Sequence, residues 1–166
     1  GRPSHQIVAD AAAMNCCMEH RGGVGYEKNS GDGAGILTGL PHALLQDLAK
    51  VTFGAGLPEA GGYGVGNVFL PTDSAERDHC KQVIEDEITA AGQALIGWRA
   101  LPTNADGADI GKAARSKMPH FEQLFIGRGD DRDAQAFERT LYIIRKLSTH
   151  RLRGDESLTQ NHLFYV

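Results

Sequence analysis

No apolar run in these 166 residues approaches the roughly 20 needed to cross a bilayer as a helix. No membrane role is expected. Positive charge is not in surplus either: 17 Lys and Arg stand against 21 Asp and Glu, a net charge of −4. A nucleic-acid binder normally shows a basic face, so nucleic acid is not expected as a partner. Cysteine is scarce. Three thiols, two of them adjacent at Cys16 and Cys17, make a poor disulfide framework, and a reducing cytoplasmic setting fits better. The opening GRPSHQ carries neither an initiator methionine nor a signal-peptide pattern. The closing NHLFYV stops on what reads as the middle of a strand. Both ends therefore read as cuts in a longer chain.

Several chemical signatures are missing as well. No Lys-Ser or Lys-Thr pair follows the glycines, so there is no Walker phosphate loop. GDGAGI comes after a helix and runs toward a strand, the reverse of a dinucleotide fingerprint, and GYGVGNV has the wrong spacing. The seven histidines form no H-E-x-x-H pair and have no C-x-x-C partner, so no metal site is expected. Cys16, Cys17 and Cys80 all fall on expected helices, away from an N-terminus that would lower a thiol pKa. They read as small buried hydrophobes. No G-x-S-x-G elbow is present.

Glycine, by contrast, is plentiful. Six of the 21 glycines fall between Gly22 and Gly35, in HRGGVGYEKNSGDGAGILTGLP. Such clustering suits close backbone approach, which a Cβ would block. A long helix-to-strand connection is the plainer reading. The length fits one domain with a real core.

Around this stretch, helices and strands alternate, which favours a layered α/β or α+β domain. Ser4 is placed to cap a helix whose face is Ile7, Ala11, Met14 and Met18, ended by Gly22 and Gly23. Residues 35–41 read as a short strand, and 41–51 as a helix. Residues 63–70 read as a strand. Asp73 and Glu76 form a capping-box pattern before a helix that buries Cys80, Ile84, Ile88 and Ala91. Strands are expected at 93–102 and 120–129, with a turn and short helix between them. A long helix from about Ala134 to His150 directs Phe137, Leu141, Ile144 and Leu147 inward. Residues 161–166 read as a closing strand.

The run MNCCMEHRGGVGYEKNSGDGAGILTGLPH resembles the glutaminase domain of the glutamate synthase family. That family has a helix ending in HRG, then TGDGAGI or SGDGAGI, then a strand and PH. YGVGNVFLP, GWRALP, FEQLFIGRG and FERTLYIIRK add to the likeness, which covers nearly the whole chain. HRG alone would point only to class-II amidotransferases in general.

The resemblance implies an α+β fold of four αββα layers, the N-terminal-nucleophile hydrolase fold, present here in part. Residues 1–166 would be part of a single amidotransferase domain, without its first strand or its C-terminal part. The implied activity is hydrolysis of L-glutamine to glutamate and ammonia, the ammonia then passing to 2-oxoglutarate. The implied nucleophile is an N-terminal cysteine that lies upstream of Gly1 in the family, and none of Cys16, Cys17 or Cys80 matches it. An Asn-Gly pair further along the family's chain would supply the oxyanion hole. The isolated 166 residues are therefore expected to be inactive.

What matches of the site is the corner of Arg21 and Gly22. The resemblance places Gly22 beside the reacting group and makes Arg21 a substrate-binding candidate. Their plainer roles are a helix C-cap for Gly22 and a dipole or carboxylate partner for Arg21, and both readings stand. Asp32 reads better as an Asx turn than as a catalytic group. No cofactor is expected in this segment. FMN and an iron–sulfur cluster would belong to other domains of the full enzyme. Those domains, and a small reductase subunit or ferredoxin, are the implied partners. A non-catalytic binding or scaffold module with the same fold is the alternative, and a phosphate-binding domain a weaker one.

Overall fold

The computed structural model describes residues 2–23, 25–27, 29, 35–131 and 133–166. Contacts divide the chain into two compact units, Gly1–Pro41 with Asn104–Lys117, and His42–Thr103 with Met118–Val166.

The larger unit is built on three strands, β1 (Tyr63–Leu70), β2 (Ala94–Ala100) and β3 (His120–Gly127), in the order β1-β3-β2. Both outer strands run antiparallel to β3, with Tyr63 opposite Gly127 and Leu70 opposite His120. A register shift between Leu95 and Gly97 bulges β2. Strand alternation then divides the core in two. Val68, Leu70, Leu124 and Ile126 face α3 (Ser74–Ala90) and α5 (Ala134–Arg153). On the other face Tyr63 and Phe125 join Leu45 and Ala49 of α2 (His42–Phe53). The unit is mixed α and β with one small antiparallel sheet.

Two strand glycines let helices close onto the sheet. A Cβ at Gly64 would lie 2.4 Å from Leu141 Cδ1, and one at Gly97 would lie 2.6 Å from Phe53 Cε1. The expected cap also forms, in altered shape. Asp73 accepts from the Glu76 N–H at 2.9 Å. The Glu76 carboxylate turns instead to the Thr159 hydroxyl and the Thr159 and Gln160 N–H groups. The Gln160 side chain takes its place, accepting from Asp73 N–H at 3.2 Å. The cap thereby ties α3 to a loop more than 80 residues on.

The expected strand 63–70 and the α3 stripe of Cys80, Ile84 and Ile88 match the structure. On α5, Phe137 and Ile144 are buried, whereas Leu147 is exposed and Ser148 and Leu152 lie inside. The spacing explains it: 137, 141, 144, 148 and 152 keep one helical stripe, and Leu147 sits about 100° off it.

Three further expectations are corrected. Residues 35–41 form no strand; Ile36, Leu37 and Leu40 are exposed, and a ladder needs a partner. Residues 161–166 contribute a 3₁₀ turn, Asn161–Leu163, and a single bridge from Tyr165 to Phe69 in place of a strand. Cys16 and Cys17 are exposed rather than packed; only Cys80 is buried.

The smaller unit holds α1 (His5–Cys17) and α4 (Lys112–Ser116). Ser4 is the N-cap residue of α1 by position, without a side-chain cap bond. No residue of α1 is buried, and Ile7, Met14 and Met18 of its expected inner face are exposed.

Candidate functional site

The α-helix ends at Cys17, five residues before Gly22. The chain tightens into a 3₁₀ turn, Glu19–Arg21, in which the Arg21 N–H donates to Met18 at 2.8 Å and Gly22 N–H to Glu19 at 2.9 Å. His20 Nδ1 lies 3.1 Å from the Cys17 carbonyl oxygen. Gly22 is the C-cap of this turn and leaves it in extended backbone, φ −81° and ψ 157°. Its glycine character matters through space. A Cβ there would stand 3.3 Å from the Glu19 carbonyl oxygen, which is already held by the Gly22 N–H.

Arg21 and Gly22 are thus brought together on one exposed turn. Among the described residues the Arg21 guanidinium has no hydrogen-bond or ion-pair partner. A planar cation of this kind suits a carboxylate ligand. Further along, Glu27 accepts from the Ala113 N–H at 2.9 Å, and Asn29 donates to Asp109 at 3.0 and 3.1 Å. These bonds tie the loop to residues 104–117. Asp32 and the rest of the 30–34 run lie outside the described residues.

The buried thiol is not built for attack. Burial, then the charges of Glu76 and Asp155, push Cys80 up to about 11, which leaves it protonated near neutrality. Burial likewise raises the Tyr63 phenol, which shares a 2.9 Å hydrogen bond with His42 Nδ1.

Sequence reasoning missed a buried charge pair. Glu122 lies 2.8 Å from Lys81 Nζ and 3.3 Å from His120 Nε2, and Lys81 sits 4.9 Å above the Trp98 ring. The signal was present, since Glu122 shares its parity on β3 with inward-facing Leu124 and Ile126.

The whole chain, residues 1–166, matches the family of class-II glutamine amidotransferases, and it belongs to that family. It is 41% identical over 144 residues to the ferredoxin-dependent glutamate synthase of Spinacia oleracea chloroplasts, covering 87% of this chain and 9% of that protein. To the NADPH glutamate synthase large chain of Bacillus subtilis it is 40% identical over 147 residues, 88% of this chain and 9% of the relative. The NADH glutamate synthase of Schizosaccharomyces pombe is 37% identical over 160 residues, 90% of this chain and 7% of the relative. The chain thus spans less than a tenth of the length of these three relatives.

Proposed function

We propose that these residues form part of a glutaminase domain of glutamate synthase, which releases ammonia from L-glutamine for transfer to 2-oxoglutarate. The observation that carries this is the Arg21–Gly22 turn, exposed and free of a Cβ where the chain turns, in a chain matching class-II amidotransferases from end to end. In this reading Arg21 holds the substrate's α-carboxylate. Gly22 lets backbone approach the reacting amide. The attacking thiol and the oxyanion donors come from the rest of the domain. In this reading α3 and α5 are one helical layer of a four-layer αββα arrangement. FMN and an iron–sulfur cluster would serve other domains, in a cytoplasmic enzyme that takes electrons from a reductase subunit or ferredoxin.

The test is glutamine-dependent ammonia release by the full-length enzyme. Arg21→Ala is expected to raise KM for glutamine about 10- to 100-fold, the weight of a lost charge-assisted bond, with a smaller change in kcat. Gly22→Ala is expected to lower kcat through crowding at Glu19. Unchanged KM and kcat in both variants would remove the turn from the site. Ammonia release by the 166-residue chain alone would overturn its expected inactivity.

A further inference from the structure

β1 is an outer strand of the sheet, and its far edge is almost bare. Among the described residues only Tyr165 pairs there: Phe69 N–H donates to Tyr165 at 2.7 Å, and Tyr165 N–H to Phe69 at 3.0 Å. This reciprocal exchange is the hydrogen-bonded pair of an antiparallel ladder, and it fixes a register. Continuing that register, Asn67 meets the first residue after Val166, and Val65 meets the third. The backbone N–H and C=O groups of Asn67 and Val65 point to this edge by the same alternation that sends those of Phe69 there.

A groove lies beneath the edge. It has a volume of about 390 Å³, and Gly64, Gly66, Leu141, Ile144, Ser148 and Val166 help to line it. The Ser148 hydroxyl is fully buried and has no hydrogen-bond partner among the described residues. A buried hydroxyl left without a partner is costly. The parity of the chain's last residues is informative. Phe164 is buried in the α3–α5 core and Val166 packs against it, so alternate residues beyond Val166 would enter the groove opposite Gly66 and Gly64.

We propose that the residues following Val166 in the full-length polypeptide add a fourth, antiparallel strand to β1, close the groove and give Ser148 its partner. This rests on the reading that the chain is part of a glutamate synthase polypeptide. Bare edge, fixed register and orphan hydroxyl all point to the same occupant. A bare edge invites pairing in general. The Tyr165 bridge places this particular strand within reach at no added cost of chain closure.

Cross-linking in the full-length protein tests it. Gly66→Cys combined with cysteine at the second position after Val166 makes a non-hydrogen-bonded antiparallel pair, whose Cα separation suits a disulfide. Space exists, since a Cβ at Gly66 meets only Val166 Cγ2, at 3.8 Å. Peptide mapping after mild oxidation should show this link forming at least about tenfold faster than links to the first or third position, which face the other way. Equal rates at all three, or a link between Gly66→Cys of two copies, would overturn the proposal. Hydrogen exchange in the unaltered full-length protein gives a second readout. The Asn67 and Val65 amides should be protected as strongly as those facing β3, and fast exchange there would sink the idea. Glutaminase activity is read separately, so failure of the strand and failure of the enzyme reading are distinguishable.

Discussion

The two units of this chain treat their apolar residues in opposite ways. In the larger unit, two helices and a third on the opposite face press Val68, Phe125, Ile88 and Leu152 to full or nearly full burial against the sheet. In the smaller unit Met14 is 68% exposed and Leu37 fully so, and among the described residues none that is buried belongs to it. The difference is that a sheet gives the larger unit a surface on which alternate residues can meet helices, whereas α1 buries none of its residues. The candidate catalytic turn belongs to the exposed unit. On the proposed reading, function falls to loop residues whose geometry owes little to packing.

Thiol reactivity should show this contrast most strongly. In the 166-residue chain Cys16 and Cys17 should label at once with a thiol reagent near pH 7. Cys80, pushed by burial to about 11, has roughly 100-fold less thiolate than an ordinary cysteine and is also buried. Labelling of Cys80 at the rate of the other two, followed by mass spectrometry, would mean that the larger unit opens freely.

Core truncation comes next. Phe125→Ala should cost about 3–5 kcal/mol in urea unfolding, because the ring is fully buried. Leu37→Ala should stay within about 0.5 kcal/mol. Similar costs for both would erase the distinction between the units.

Ser148→Ala sharpens it within the larger unit. The orphan hydroxyl predicts a gain of about 1 kcal/mol in the 166-residue chain. The gain should vanish in the full-length protein if an added strand supplies a partner there.

The smallest effect concerns acid. The Ser157 hydroxyl, then His79, hold the Asp155 carboxyl at about 2. A carboxylate lowered in the folded state contributes its stability in full above its unfolded value, near 4. That contribution is lost as pH falls through about 2. Ser157→Ala should move the Asp155 titration upward, measured by carboxyl NMR, and an unmoved midpoint would discount the bond.

Much of the larger unit was legible in the sequence. Strand 63–70 was legible where the Gly-rich loop gives way to YGVGNVFL, and α3 by its stripe of Cys80, Ile84 and Ile88. Leu147 was misread because any leucine near the stripe looks inward, and only continuing the period to Leu152 selects Ser148. Glu122 was overlooked because an acid in a strand looks solvated until Lys81 arrives from α3, 41 residues earlier, to join its strand neighbour His120. The Arg21–Gly22 turn was found through the family likeness. Its 3₁₀ geometry was hidden, since the choice between a helical C-cap and a tightened last turn depends on small backbone energies.

By itself the sequence determined the local elements and their apolar faces: periodicity, the Asp73 cap and the glycines act over a few residues and need no distant partner. Tertiary structure alone decided which faces found cover. Leu141 over Gly64, the Phe53 ring over Gly97 and Gln160 completing the α3 cap are contacts between distant segments. Their energy appears only once the sheet brings those segments within van der Waals or hydrogen-bond reach.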